Sequence, residues 1–105
     1  MSDAAKTIEV DASRWSSEND FYNGLAEALG SVPWHGRGSE AFAESMIFYT
    51  EMNKIRPPYR LIIRNLSRLQ SGYAQEFVSL IAAYRQDRID DPEWGDDIGV
   101  EVVIE

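Results

Sequence analysis

Residues 59–84 contain the pattern that decides the fold, and they read YRLIIRNLSRLQSGYAQEFVSLIAAY. The first part, Tyr59–Arg64, is predicted to be a strand, and its consecutive apolar residues Leu61–Ile63 favour burial on both faces. A helix is then predicted with Ser71 as its N-cap, because apolar residues recur at the spacing of one helical face. These residues are Tyr73, Phe77, Leu80, Ile81 and Tyr84. A buried strand next to an amphipathic helix is typical of a parallel sheet.

Another strand and helix precede this unit. The short β-branched run Thr7–Val10 predicts a buried strand. A helix follows, for which Ser17 is the expected N-cap, with Asp20 three residues later in a variant of the capping box. Gly30 is the expected C-terminal cap of this helix. Its buried stripe consists of residues four apart, which are Phe21, Leu25 and Leu29.

A loop rich in glycine and aromatic residues, Ser31–Gly38, leads into a second predicted helix. Ser39 is its expected cap, and the helix is expected to cover Glu40–Met52. Towards the C-terminus, we expect an acidic loop over Asp87–Asp97 and a third strand over Gly99–Glu105. The element order β-α-α-β-α-β predicts an α/β fold: a small three-stranded parallel sheet with right-handed crossovers, packed with helices.

Length and composition limit the possibilities further. The chain has 105 residues, which favours one domain over residues 1–105, with residues 1–6 expected to form a disordered tail. It contains no cysteine, which excludes disulfides, thiol catalysis and cysteine-based zinc sites. We see neither a signal-peptide pattern nor an apolar stretch long enough for a membrane span, so we expect a cytoplasmic protein. No cofactor and no metal site are expected.

The charge balance indicates a class of partner. The chain has 18 Asp and Glu against 10 Lys and Arg, and its formal net charge is −8. Such a surface repels nucleic acids and anionic membranes, so neither is an expected partner. It attracts basic proteins and speeds their encounter with the chain. Acidity also serves solubility in many proteins, and charge alone leaves both interpretations open.

Two carboxylates of the second predicted helix, Glu40 and Glu44, are the first candidates for a binding site. Residues four apart share one helical face, with Cβ atoms about 5–6 Å apart. Such a pair can imitate a phosphate ligand for the cationic side chains of a nuclease through charge-assisted hydrogen bonds. Acidic pairs at this spacing are also common on solvated helix surfaces, so the spacing alone does not separate the two interpretations.

Aromatic side chains provide further candidates. Trp34 either anchors a partner or folds back to cover the core. His35 is the only histidine, and with a nearby carboxylate it is the sole candidate for acid–base chemistry in a small hydrolase, although the chain shows no nucleophile motif. Trp94 either pins the acidic loop to the body of the protein or extends a binding face.

Other charged residues are expected to have structural roles. The acidic loop lacks the spacing of an EF-hand, so we expect a solvated loop there and not a calcium site. Arg60 and Arg64 share one face of their strand, and we expect them to pair with nearby acids. The binding candidates therefore remain on the second helix and the loop before it.

Residues 11–44 read DASRWSSENDFYNGLAEALGSVPWHGRGSEAFAE. This stretch resembles the barstar family of ribonuclease inhibitors: a turn, a serine-capped helix start, a loop of proline, aromatics and glycine, and a second helix that opens with an acid. In element order the resemblance extends over residues 7–105. It implies a compact monomer without catalysis of its own, in which the second helix and its preceding loop enter the active site of a basic ribonuclease.

The resemblance implies partner-binding roles for Trp34, His35, Gly36, Glu40, Glu44 and Asp87. Trp34 and His35 stand where the family has its two loop aromatics, and Gly36 matches the family glycine. Glu40 and Glu44 stand where the family has two aspartates that contact the enzyme. Asp87, near the end of the third predicted helix, matches a peripheral acidic contact of the family.

The chain also departs from the family pattern. Ala43 replaces a tryptophan of the best-known member, and both contact acids are glutamates. Residues 50–58 and 86–97 look like insertions. The implied function is inhibition of a basic ribonuclease by carboxylates that mimic phosphate. The alternatives are a barstar-like adaptor for a different protein partner, and the small hydrolase that would use His35.

Overall fold

The computed structural model describes residues 6–105 and shows three parallel strands in one sheet. Its elements are β1 (Lys6–Asp11), α1 (Glu18–Leu29), α2 (Ser39–Ile47), a 3₁₀ helix (Thr50–Met52), β2 (Tyr59–Arg64), α3 (Arg68–Asp90) and β3 (Val100–Ile104). The strand order β1-β2-β3 with parallel pairing confirms the predicted β-α-α-β-α-β architecture. Of the expected disordered tail, residues 1–5 lie outside the described residues, whereas Lys6 belongs to β1 and that part of the prediction is wrong.

β2 is the central strand, and the helices cover only one face of the sheet. Tyr59, Leu61 and Ile63 belong to the core and are at most 1 % exposed. Arg60 and Arg64 alternate with them on the opposite face and are exposed. Over Leu61–Ile63 the predicted burial on both faces is confirmed, whereas Arg60 and Arg64 leave the two ends of the opposite face open to solvent.

Ion pairs cross the open face of the sheet. Arg60 contacts Glu101 of β3 at 2.7 Å, and Arg64 contacts Glu9 of β1 at 2.7 Å. These contacts confirm the expected pairing of both arginines with acids. Ile62 lies between the two arginines on this face and is only 7 % exposed, since the aliphatic part of an arginine covers apolar surface while its guanidinium stays in water.

Both ends of α1 carry the predicted caps. The hydroxyl of Ser17 accepts a hydrogen bond from the backbone N–H of Asp20 at 3.1 Å. Gly30 closes the helix in the left-handed conformation, with φ of 66°. The capping box differs in one detail: the carboxylate of Asp20 accepts from the backbone and hydroxyl of Ser16 and not from Ser17.

α3 begins earlier and ends later than predicted. Its N-cap is Ser67 and not Ser71, and the Ser67 hydroxyl accepts from the N–H of Gln70 at 3.1 Å. Gln70 is fully buried, and its side-chain amide donates to the carbonyl of Ser17 at 2.7 Å. This contact joins the first turn of α3 to the start of α1. It could not be predicted from the spacing of the apolar residues by which the helix was recognised. The helix runs to Asp90, so the predicted acidic loop is shorter than expected.

α2 is shorter than predicted and lacks the expected serine cap. Its N-cap is Gly38, which offers no side-chain hydrogen bond, and Ser39 is already helical. The helix ends at Ile47 and not at Met52. It ends there because two successive backbone N–H groups donate to the carbonyl of Glu44, each at 2.8 Å, and the chain turns into the 3₁₀ helix.

Two acidic side chains after α3 form ion pairs with arginines of that helix. Asp96 pairs with Arg88 at 2.9 Å, and Asp97 pairs with Arg85 at 2.7 Å. Over residues 6–105, no group of three or more His, Cys, Asp or Glu side chains is placed to hold a metal ion. Within the same stretch, none of the helices combines the length and the apolar character that a membrane crossing requires.

Candidate functional site

The outward face of α2 carries two carboxylates. Glu40 and Glu44 are exposed and lie about one helical turn apart. Phe42, Ala43 and Met46 are at most 1 % exposed and pack into the core. Because burial of these apolar residues orients the helix, both glutamates are directed to solvent on one side of the molecule.

A third carboxylate reaches this region from α3. Asp87 is exposed and follows Tyr84 by three residues in the same helix. The pKa of the Tyr84 hydroxyl is raised above its usual value, first by desolvation and then by the negative charges of three carboxylates. These are Glu40, Glu44 and Asp87. All three carboxylates are exposed and lie near enough to Tyr84 to influence its pKa, and we call these three residues the acidic face.

The loop before α2 presents an indole to solvent. The side chain of Trp34 is 77 % exposed, so the alternative in which it folds back onto the core is wrong. Gly36 is exposed as well, and a Cβ atom at this position would lie 3.1 Å from that of Ala41. The loop therefore passes close to the start of α2, beside the acidic face.

His35 is buried, although it was expected to be an exposed contact residue of the loop. It is only 4 % exposed, and its ring packs on Phe42 with 4.2 Å between the ring centroids. Its Nδ1 lies 2.6 Å from the carbonyl oxygen of Gly36, and its Nε2 lies 2.7 Å from the hydroxyl of Ser45. Because both ring nitrogens are used inside the protein, the expected exposed contact from this side chain is not seen.

The contacts of His35 continue into a chain of polar groups, of which Ser45 and Asn53 are buried and Ser31 is half-buried. Asn53 donates from Nδ2 to the hydroxyl of Ser45 at 3.1 Å, and its Oδ1 accepts from the hydroxyl of Ser31. Ser31 and Asn53 also form an isolated antiparallel bridge. We call Ser31, His35, Ser45 and Asn53 the buried polar network. It fastens the loop before α2 both to that helix and to the residue after the 3₁₀ helix.

Sequence reasoning missed this network, although one signal was available. Ser45 is a polar residue between the core residues Phe42 and Met46 of a short helix, and it is 2 % exposed. A buried hydroxyl needs a partner, which here is His35. The small-hydrolase alternative would need a substrate to reach these two side chains, which are 4 % and 2 % exposed and line the cavity described below.

Residues 5–104 of the chain match the family described as Barstar (barnase inhibitor). The chain belongs to the barstar family. The match covers nearly the whole chain and confirms the resemblance carried by residues 11–44. A comparison with individual curated proteins found no match.

Two departures of this barstar-family chain have structural consequences. Ala43, where the resemblance places a tryptophan, is fully buried in the core. A larger side chain would have to displace packed atoms at this position. Glu40 and Glu44 are longer by one methylene than the aspartates to which they correspond, so their carboxylates extend farther from the helix backbone.

A cavity of about 300 Å³ lies beside the acidic face of this barstar-family chain. Its lining includes Gly36, Glu44, Tyr49 and Glu51, and the last two are exposed. Neither was predicted as a site residue, because the second helix was expected to continue to Met52. The earlier end of α2 brings both of them next to the loop, where they enlarge the exposed surface.

Proposed function

We propose that this barstar-family chain inhibits a basic ribonuclease by occluding its active site and that it does so without catalysis of its own. The observation that carries the proposal is the exposed pair Glu40 and Glu44, about one turn apart on the outward face of α2, with the exposed Asp87 of α3 completing the acidic face. The family description, barnase inhibitor, supports the same class of partner. The net charge of −8 favours association with a basic protein.

Glu40 and Glu44 are the proposed phosphate mimics. The active site of a ribonuclease holds cationic side chains that are placed for the phosphates of RNA, and carboxylate oxygens can accept the same charge-assisted hydrogen bonds. The two side chains start from Cβ atoms about 5–6 Å apart, so they can meet neighbouring cations. Asp87, at the α3 side, would contact the rim of the enzyme and steer its approach.

The loop completes the proposed surface. Trp34 is exposed and aromatic, which are the properties of an interface anchor. Gly36 lines the cavity next to Glu44, and its lack of a side chain lets the loop pass close to Ala41 of α2. His35 supports this arrangement from inside, by its bonds to the Gly36 carbonyl and the Ser45 hydroxyl.

The test is titration calorimetry and a ribonuclease assay with two enzymes: barnase, and a basic ribonuclease encoded next to the gene of this chain. We expect a stoichiometric complex and loss of ribonuclease activity with at least one of them. Glu44→Gln removes one charge and keeps the side-chain size. It should weaken the complex by about 2–5 kcal/mol, a range known for buried charge pairs that includes barnase–barstar contacts.

Glu27→Gln is the matched control, because Glu27 is an exposed glutamate on α1, next to Trp15 and away from the proposed contacts. It should leave the affinity within about 0.5 kcal/mol of the unaltered chain. If neither enzyme forms a complex with a Kd below about 1 μM, the proposal is wrong. A tight complex in which the enzyme stays active would make the chain an adaptor instead.

A further inference from the structure

We propose that the segment Asp91–Asp97 is a second contact element of the same surface, where the indole of Trp94 receives an arginine or lysine side chain of the basic ribonuclease. The inference rests on the proposed function. It extends the binding surface beyond α2 and its preceding loop to residues 86–97, which depart from the family pattern. It is based on the contacts of Arg88, which joins this segment to the end of α2.

Arg88 is the residue that holds the segment. Its guanidinium binds both carboxylate oxygens of Asp96, at 2.9 and 3.3 Å, and lies 4.3 Å from the ring centroid of Trp94. The same group donates to the carbonyl of Ile47, the last residue of α2. The Arg88 side chain is only 12 % exposed. A planar cation that is paired, stacked and hydrogen-bonded at once fixes its three partners relative to one another.

Backbone contacts shape the segment into a closed turn. The carboxylate of Asp91 accepts from the N–H groups of Glu93 and Trp94, at 2.7 and 3.3 Å. Gly95 adopts a φ of 63° and donates to the carbonyl of Arg88 at 3.0 Å. Trp94 therefore stands near the tip of an ordered turn.

Aromatic contacts make Trp94 continuous with the acidic face. The ring of Phe48 lies 5.6 Å from that of Trp94 and 6.2 Å from that of Tyr84, measured between centroids. Tyr84 is the phenol on which the acidic face acts. The N–H of Phe48 also donates to the carbonyl of Glu44 at 2.8 Å, and Asp87 directly precedes Arg88, so the indole lies beside the acidic face and a protein that covers that face can reach Trp94.

The chemistry of the turn suits a cationic side chain. Trp94 remains 43 % exposed although Arg88 and Phe48 contact it, which leaves part of the indole open. Tryptophan is the aromatic residue that attracts cations most strongly. The neighbouring Glu93 is exposed and makes no ion pair within residues 6–105. An open indole next to an uncompensated carboxylate is complementary to the arginine and lysine side chains of a basic enzyme.

The experiment compares affinities of four variants for the ribonuclease that the unaltered chain inhibits, by titration calorimetry. Trp94→Ala should weaken the complex at least about tenfold. Trp94→Phe keeps an aromatic face and should lose less than Trp94→Ala. Leu69→Ala is the matched control, since Leu69 is an exposed apolar residue in the first turn of α3, and it should change the affinity less than about twofold. Glu44→Gln reports on the proposed function itself.

A second measurement covers the case in which Trp94→Ala unfolds the turn. Hydrogen exchange of the unaltered chain should slow at the amides of Glu93–Gly95 when the ribonuclease binds. The inference is overturned if exchange there does not change, or if Trp94→Ala binds as well as Leu69→Ala while Glu44→Gln binds weakly; the proposed function then stands. If no ribonuclease is bound at all, the proposed function fails and the inference fails with it.

Discussion

The Nε2 atom of His35 lies 2.7 Å from the hydroxyl oxygen of Ser45, and both residues are buried. The carbonyl of Gly36 can only accept, so the Nδ1 atom of His35 carries a proton and donates to it, while Nε2 has the Ser45 hydroxyl as its partner. The same hydroxyl oxygen accepts from Asn53. Each of these buried groups therefore has a partner, which is the condition under which polar atoms are tolerated inside a protein.

Ser45→Ala should destabilise the protein by about 1–3 kcal/mol, because it leaves the Nε2 of His35 without a hydrogen-bond partner and removes an acceptor of Asn53. The measurement is the free energy of unfolding from urea denaturation. Ser79→Ala is the control, since Ser79 is an exposed serine in α3, and it should change that free energy by less than about 0.5 kcal/mol. Equal effects of the two substitutions would contradict the role of the buried polar network.

Two helical glycines should respond to alanine with opposite signs. A Cβ atom at Gly24 in α1 would overlap the indole of Trp15, at 2.5 Å from Cε2, whereas nothing lies within 4 Å of one at Gly72 in α3. Gly24→Ala should cost about 1–3 kcal/mol by overpacking, a loss that helix propensity offsets only in part. Gly72→Ala should gain about 0.5–1 kcal/mol. Urea denaturation measures both, and a stabilised Gly24→Ala variant would show that the indole moves aside freely.

Asp97 should make stability depend on pH in the acid range. Hydrogen bonds from Arg85, and next from the N–H of Gly99, lower the pKa of Asp97 from 3.8 to about 2. The folded state then binds fewer protons than the unfolded state between these two values. The contribution of Asp97 is therefore fully present above pH 3.8 and is lost as the pH falls towards 2.

Asp97→Asn removes this titration, so the free energy of unfolding should fall less steeply with acid in the variant than in the unaltered chain. Thermal unfolding at a series of pH values measures the slope. Glu93→Gln, which removes a carboxylate without an ion pair in residues 6–105, serves as the control for net charge. Identical slopes for the unaltered chain and Asp97→Asn would show that the Arg85 contact does not persist in solution.

Tyr84 should report on the acidic face without any partner. Negative charges raise the pKa of its hydroxyl because they disfavour the phenolate, so Glu44→Gln should lower that pKa. Desolvation is the larger cause, and the pKa should stay above the ordinary value of 10.0. NMR titration of the Tyr84 ring measures the change, and Glu93→Gln provides the comparison. A pKa unaffected by Glu40→Gln, Glu44→Gln and Asp87→Asn alike would mean that the carboxylates do not converge there.

Much of the fold could be predicted because its signals are local. The strand over Tyr59–Arg64 and the caps at Ser17 and Gly30 depend on residues within one element, and the structure has them where the sequence predicts them. The parallel topology followed from alternating strands and helices. The burial of Leu61–Ile63 on both faces was predictable from their apolar run, but the sequence did not show that paired arginines and not a helix lie beside Ile62.

The errors in helix bounds involve contacts between distant parts of the chain. α3 begins after Ser67, which caps it through the N–H of Gln70, and the side chain of Gln70 fastens this first turn to the carbonyl of Ser17, 53 residues earlier. α2 ends early, and Asn53 then bonds back to Ser45 and Ser31. Propensities along the sequence carry no information about such pairings.

The candidate site was predictable where it depended on helical spacing. Glu40 and Glu44 share an exposed face because α2 is continuous between them. The orientation of the two loop aromatics was not predictable, since Trp34 and His35 are neighbours in sequence and point to opposite environments. What directs the histidine inward is Ser45, ten positions away.

The separation between the buried polar network and the exposed residues around it has a practical consequence. Positions 34, 40 and 44 can be randomised in a library while Ser31, His35, Ser45 and Asn53 are kept, because the groups that hold the loop are not the groups that it displays. The chain thus offers a small cysteine-free scaffold whose recognition can be redirected to other cationic proteins without redesign of its interior.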